Sequence, residues 1–384
     1  MVKRAFWLKK IEQLFSKRNI IWLYGVRRAG KTFLCKSIPG ILYFDCEIPE
    51  VRRRVEDEAF LKSVKGKIIA LDEIHRLSEP SQVLKIAADH YPDVKIIATG
   101  SSTLEANKKF KDKLTGRKNN LHLTPSMSTD IADFNVSLDA RFLKGGLPEF
   151  MISNNISIIE YNEWIESYWA KDITGIFGVE KKDAYIKFIE LLFLNSGGIF
   201  EATGYAAKCE VTRQTIKNYL SLLEATSLIT IIRPFSEGKA KEIIAAPKVY
   251  AFDTGFMAFF RGLEKIRSED YDIMWEHYIL NEIVAILQSQ KICYWRDKAG
   301  HEIDFILYKN PKEPIAIEAK WLASYFDIKN LLFFRKNYPK GKNYLITHDT
   351  TEPYEKTYPG LKVTVAGISE IEKIIVELLS PVFR

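Results

Sequence analysis

The chain has 384 residues, 47% hydrophobic and 27% charged, and a net charge of +7. This is the composition of a soluble globular protein, too long for one ordinary core, so two or three domains are expected. The modest basic excess permits a polyanionic partner without demanding one, and four cysteines with no CxxC pair argue against a zinc site or a disulfide framework.

The N-terminal stretch "MVKRAFWLKKIEQLF" starts basic but has no sustained apolar core, so it does not read as a secretory signal. No run of about 18 apolar residues follows anywhere. The expectation is a soluble, cytoplasmic protein with no membrane partner.

From about residue 20 to 104, the runs "IIWLY", "ILYFD", "KIIALDE" and "VKIIATG" alternate with mixed segments. The runs read as buried parallel strands, with helices over 31–38 and 80–90 between them, which predicts an α/β sheet. The first run leads into "GVRRAGKT", residues 25–32, which has the spacing of a phosphate-binding loop. A strand, this loop and a helix would aim backbone N–H groups and a helix N-terminus at phosphate oxygens. Gly25 and Gly30 permit the tight wrap, Lys31 reaches the β and γ phosphates, and the Thr32 hydroxyl ligates Mg²⁺. With Ala29 and Phe33, these are the candidate nucleotide-binding residues. Arg27 and Arg28 are expected to point outward into solvent.

"KIIALDE" ends its strand on two carboxylates. Asp72 is expected to hold the Mg²⁺ shell and Glu73 to polarise the attacking water. "VKIIATGSS" is a third strand with polar residues at its end, where Ser101 or Thr99 would orient that water. Arg117, in "LTGRKNN", is either an arginine finger for the γ-phosphate or part of a solvated basic loop.

Residues 131–183 turn helical. Residues 184–236 hold three helical patterns followed by the strand "ITIIRPF", the turn "SEGKAK" and a second apolar stretch, which is the order of a winged helix. In "TRQTIKNYLSLLEA", Thr212 caps the helix, and Ile216, Leu220 and Leu223 form an apolar stripe. Arg213, Gln214, Lys217 and Asn218 remain on the other side, as in a helix laid in a DNA major groove. Lys239 and Lys241 of the wing would lie near a phosphate path. The same face also suits a module that packs against protein.

"GVRRAGKTFL", "LDEIHRL", "TGSS", "LTGR", "GGLPEF" and "KVYAFDTGF" occur in this order over residues 25 to about 255. In this the chain resembles prokaryotic AAA-type ATPases that carry a C-terminal domain of unknown function. The resemblance implies ATP as nucleotide, a sheet-based ATPase core and a helical lid. One departure is visible. Where relatives tend to have a Pro-Leu-Ser-Phe-Glu segment, this chain reads "TPSMSTDIADF", so no role is carried over to 124–134.

From about 246 the pattern returns to α/β. In "EIDFILY", Ile303, Phe305 and Leu307 share one face and Glu302 and Asp304 the other; in "IAIEAK", Glu318 and Lys320 lie together. If these strands pair, Asp304, Glu318 and Lys320 converge, with two carboxylates for a divalent cation and a lysine to orient water. Over about 272–348 this resembles the PD-(D/E)xK (restriction-endonuclease-like) nuclease superfamily, including the archaeal Holliday-junction resolvases. That fold adds a helix glutamate, for which Glu276 and Glu282 are candidates and Glu282 is favoured. A charged solvent face, or a nuclease fold that no longer cuts, remains open.

The combined expectation is an α/β protein with a P-loop AAA-like parallel sheet (1–130), a helical lid (131–183), a winged-helix unit (184–245) and a restriction-endonuclease-like α/β domain (246–384). Its expected cofactors are ATP and Mg²⁺, with a second divalent cation, Mg²⁺ or Mn²⁺, at the C-terminal cluster if that is active. DNA is the expected partner. The alternative is a nucleotide-dependent signalling or regulatory switch that binds a protein or an operator, with a catalytically inactive nuclease-like domain used for binding only, and self-association is left open.

Overall fold

A computed structural model describes residues 2–100, 114–153, 157–174, 179, 181–236, 246–288 and 291–379. The chain forms two compact units. The first comprises Met1–Leu138, Gly146–Lys182 and Tyr219–Leu228, and the second Asp139–Gly145, Asp183–Asn218 and Ile229–Arg384. No helix among the described residues is long and apolar enough to cross a membrane.

In the first unit, helix α1 (Ala5–Phe15) precedes β1 (Ile20–Tyr24), and α2 (Lys31–Lys36) follows the glycine-rich loop. Then come β2 (Leu42–Asp45), α3 (Pro49–Glu56), α4 (Phe60–Ser63), β3 (Ile68–Asp72), α5 (Pro80–His90), β4 (Lys95–Thr99) and β5 (Asn119–His122). The strands form one sheet in the order β2-β3-β4-β1-β5, parallel throughout. Ile20, Ile21, Trp22 and Leu23 of β1 and Ile69, Ala70 and Leu71 of β3 have no exposed surface. A parallel strand covered on both faces needs such unbroken apolar runs, which is why these strands show in the sequence. The exception is β5. Its "NNLH" buries only Leu121 completely, and nothing in so polar a run announces a strand. Helix α6 (Ser128–Phe134) follows.

The unit resumes after Gly146 with α8 (Pro148–Ile152) and α9 (Ile158–Tyr168), which runs into a π-helical turn, Trp169–Thr174. Between α6 and α8, the short helix α7 (Leu138–Lys144) belongs almost wholly to the second unit.

There, α10 (Lys182–Leu194), β6 (Gly198–Ile199), α11 (Ala202–Cys209), α12 (Arg213–Ala225), β7 (Ile229–Pro234) and β8 (Lys248–Ala251) succeed one another. Residues Tyr219 onward of α12 belong to the first unit. After α13 (Thr254–Phe260) and α14 (Tyr271–Leu287) come β9 (Cys293–Arg296), β10 (Glu302–Leu307) and β11 (Ile315–Lys320). Next are α15 (Lys329–Asn337), β12 (Asn343–Thr347), β13 (Tyr354–Tyr358), β14 (Leu361–Ala366) and α16 (Glu370–Leu379). All nine strands form one sheet, ordered β13-β14-β12-β11-β10-β9-β7-β8-β6. The strands expected for a wing are thus continuous with those of the C-terminal segment, because β7 also pairs in parallel with β9.

Two sequence signals resolve as structural joints in this unit. Gly145 of "GGLPEF" has φ +88°, and a Cβ there would sit 2.0 Å from Asp253 Oδ1. Asp253 caps α13 through the Gly255 N–H, and the buried Arg141 guanidinium donates to Thr254 Oγ1 (2.8 Å). Gly145, the first residue of "GGLPEF", thus packs directly against Asp253 of "KVYAFDTGF".

Candidate nucleotide-binding site

Loop 25–32 wraps from β1 into α2 at the C-terminal edge of the parallel sheet, where α/β proteins place their ligands. Gly25 has φ +146°, and a Cβ would lie 2.3 Å from the carbonyl oxygen of Leu123, so only glycine fits. Gly30 has φ +94°, which lets the chain turn into α2 without a side chain. The loop walls a cavity of about 1040 Å³, lined also by Phe33, Glu73, Pro148, Trp164, Tyr168 and Asp172.

Lys31 Nζ donates to the carbonyls of Gly25 (2.9 Å) and Val26 (3.1 Å), which fixes the ammonium over the loop. Burial pulls its pKa down, against the carboxylates of Glu73, Asp172 and Asp72. The Thr32 hydroxyl donates to Asp72 Oδ2 (2.6 Å), Tyr43 donates to the same oxygen, and Thr99 donates to Oδ1. A hydroxyl and a carboxylate meeting at the loop are hard oxygen donors of the kind Mg²⁺ takes. Burial, and then the adjacent Asp72 carboxylate, push the Tyr43 phenol above its ordinary range.

Glu73 stands in the left-handed region, φ +52° and ψ +44°, which residues with a Cβ adopt uncommonly. Its N–H donates to Thr99 Oγ1 (3.3 Å), and its Oε2 lies 3.2 Å from His75 Nδ1. Burial opposes its ionisation, but His75 and the Lys31 charge hold the carboxyl below the usual glutamate range. Glu73 is therefore an ionised carboxylate facing the cavity, the state a general base needs.

The loop arginines depart from expectation. Arg27 does not simply enter solvent: its Nη1 pairs with Asp172 Oδ2 at 3.1 Å inside the cavity. Arg28, at φ +61°, approaches Glu149 (3.6 Å) and the ring of Phe150. Arg117 does not line the cavity. Its Nε donates to Asp89 of α5 (2.7 Å), which gives that guanidinium a partner on its own surface. Ser101 lies outside the described residues; Thr99 holds the strand-end position beside Asp72 and Glu73.

Sequence reading missed the residue that braces the loop. Arg4, 1% exposed, makes two bonds to Asp130 (2.9 and 2.6 Å) and a third to the carbonyl of Ala29 (2.9 Å). Trp7 Nε1 and the Met127 N–H complete the Asp130 shell. Asp130 sits within "TPSMSTDIADF", so the segment to which no role was carried over anchors the phosphate loop from behind.

The second unit brings three predicted side chains together. Lys320 Nζ is 3.4 Å from Asp304 Oδ2 and 3.6 Å from Glu318 Oε2, and the Ala319 N–H donates to Asp304 (2.8 Å). Burial and the adjacent Asp304 charge drive the Glu318 carboxyl well above its ordinary range. Against burial, Lys320 and Lys248 keep Asp304 below its own. Of the two carboxyls, Glu318 is therefore the one that more readily holds a proton.

Two corrections concern this cluster. Glu276, and not the favoured Glu282, faces it: the Glu276 carboxylate accepts from Tyr250 (2.6 Å) and lies 3.7 Å from Lys248 Nζ, while Glu282 is buried further along α14. The simple alternation expected in β10 is broken by a bulge between Ile303 and Ile306, which turns both of these into one core beside Leu345 and Val365. Lys248, which carried no signal, is 5% exposed and pairs with Glu302 as well as Glu276. Among the described residues no group of three or more His, Cys, Asp or Glu side chains is placed to hold a metal ion. Lysines occupy the gaps between these carboxylates, so the expectation of a second divalent cation here finds no matching ligand set.

On α12, Thr212 Oγ1 accepts from the Thr215 N–H (3.1 Å), as a cap should. Ile216, Tyr219 and Leu223 are buried, and Arg213, Gln214, Lys217 and Asn218 are exposed. Lys239 and Lys241 lie outside the described residues.

Residues 17–131 match a family described as an AAA domain. Residues 135–267 and 271–369 match two families described as domains of unknown function, DUF8612 and DUF4143. Uncharacterized proteins of Mycobacterium bovis and Mycobacterium tuberculosis are each 24% identical over 316 residues, covering 79% of this chain and 71% of theirs. Among solved structures, the Walker-type ATPase PABY2304 of Pyrococcus abyssi is similar at 14% identity and TM-score 0.47, over 68% of this chain and 96% of its own. A RuvB variant of Thermotoga maritima is similar at 17% identity and TM-score 0.31, over 59% of this chain and 89% of its own.

Proposed function

We propose that the protein binds and hydrolyses ATP with Mg²⁺ and uses the nucleotide cycle to govern DNA binding. The observation that carries the first part is the meeting of Lys31, the Thr32–Asp72 pair and the ionised Glu73 around one loop. Bound Mg²⁺, held by Thr32 and Asp72, would offset charge on the β- and γ-phosphate oxygens. The chain's own contributions are separable. Lys31 and the loop N–H groups bind phosphate, Glu73 accepts a proton from the attacking water, and Thr99 fixes the backbone of Glu73.

Phosphate release and nucleotide binding test this directly. Lys31→Ala should lose nucleotide binding, and Glu73→Gln should bind ATP but not turn it over. A Glu73→Gln protein that hydrolyses ATP at the wild-type rate refutes the assignment of the base.

The DNA part rests on the exposed Arg213, Gln214 and Lys217 face of α12, within a helix–strand–helix–helix–strand–strand order that supports a winged helix. Lys239 and Lys241 belong to the same proposal. Affinity should fall steeply with salt, and replacing Arg213, Lys217, Lys239 and Lys241 with Ala should flatten that slope. No gel shift at low salt, with or without ATP, refutes it. The convergence of Asp304, Glu318 and Lys320 motivates a test of a second reading, DNA cleavage, although among the described residues the cluster offers no ligand set for the divalent cation that such a cut would use. A panel of plasmid, flap and four-way-junction substrates decides it. Cleavage lost in Asp304→Ala, with ATP hydrolysis intact, supports that reading. A wild type that cuts nothing leaves the cluster a binding element of a nucleotide-dependent regulatory switch.

A further inference from the structure

The sequence left Arg27 and Arg28 without a task, and the structure separates them. Arg28 reaches an exposed carboxylate, whereas Arg27 is drawn across the cavity to Asp172, whose side chain is only 10% exposed. Both Arg27 and Asp172 line the cavity, and both act on the charge of Lys31. Asp172 belongs to the π-helical turn Trp169–Thr174, a backbone form that is rare and recurs at functional sites. The backbone on the other side is tied too, because Trp164 Nε1 donates to the carbonyl of Arg27 (3.3 Å).

These facts set up a competition. A phosphate chain bound by the loop brings several negative charges within reach of the Arg27 guanidinium. It also brings them close to the Asp172 carboxylate, which is unfavourable while that carboxylate stays buried. We propose that Arg27 is a phosphate-contacting residue supplied in cis, that it exchanges Asp172 for the phosphates of a bound nucleoside triphosphate, and that this exchange frees the π-helical turn. The loop then reports nucleotide to α9 and its π-turn through one side chain. This inference rests on the ATPase reading above.

The test uses the full-length protein with Mg²⁺ and AMP-PNP, followed by calorimetric titration and by amide hydrogen exchange. Asp172→Asn removes the competing charge at constant shape, and should tighten AMP-PNP severalfold. Arg27→Gln removes a charged donor, and should weaken it roughly tenfold or more. At saturating AMP-PNP, amides of 169–174 should exchange faster than without nucleotide in the wild type, and show no such change in Arg27→Gln. Arg27 is half-buried on a loop, so that variant keeps the test available if Asp172→Asn does not fold. Equal affinities in all three proteins overturn the inference, as does an exchange response that survives in Arg27→Gln. If the wild type binds no nucleotide at all, the ATPase reading itself fails, which is a separate result.

Discussion

Arg4→Ala is the sharpest test of how the phosphate loop is supported. The Arg4 and Asp130 side chains are 1% and 0% exposed and joined by two bonds, so deleting the guanidinium strands a buried carboxylate. Breaking one side of a buried pair costs about 3–5 kcal/mol. Trp7 Nε1 (3.2 Å) and the Met127 N–H (3.1 Å) remain on Asp130, which points to the lower end. In a unit of this size each kcal/mol moves Tm by about 2–4 °C, so scanning calorimetry should show a loss of roughly 10 °C. Nucleotide affinity should fall as well, because the Ala29 carbonyl loses its donor and the loop its brace. The double variant Arg4→Met, Asp130→Asn separates the two effects. With no charge left buried it should regain stability, yet it should not regain affinity, since methionine cannot donate to Ala29. A Tm change below about 3 °C in Arg4→Ala, with unchanged nucleotide affinity, refutes the reasoning.

Gly25→Ala should abolish nucleotide binding, because its methyl would collide with the Leu123 carbonyl; titration calorimetry reads the loss, and wild-type affinity refutes it. His75→Ala removes a partner that lowers the Glu73 pKa, so the acid limb of ATP hydrolysis should move to higher pH, and a pH–rate profile unchanged from wild type refutes the coupling. The buried His277 is held neutral, its pKa pulled from 6.5 to about 3 by burial. The unfolded chain takes up that proton first, so its stabilising contribution is whole above pH 6.5 and is lost as the pH falls toward 3. Between pH 6.5 and 5 this amounts to about 2 kcal/mol, and His277→Gln should flatten the stability–pH curve by that amount in chemical denaturation.

Much of the first site is local, and local features are legible. Gly25 through Thr32 are neighbours in the chain, and Asp72 and Glu73 sit where an unbroken apolar strand stops, so spacing and burial pattern were enough to locate them. The same holds for Asp304, Glu318 and Lys320, which occupy facing positions on two adjacent strands. What the sequence could not supply are partners set by distant segments. Arg4 meets Asp130 across 126 positions, and Arg27 meets Asp172 across 145. Neither pair has a periodicity, because their residues belong to elements that touch only once the unit has folded. The choice of Glu276 over Glu282 depends on which side of α14 faces Tyr250 and Lys248. Residues six apart on a helix point in different directions, so packing alone selects between them. The bulge in β10 is likewise invisible in a run of alternating residues, since it is decided by the register of β9 beside it. Tertiary structure decided these points because a buried charge takes its counter-charge from anywhere in the chain, and a strand takes its register from the neighbour it pairs with.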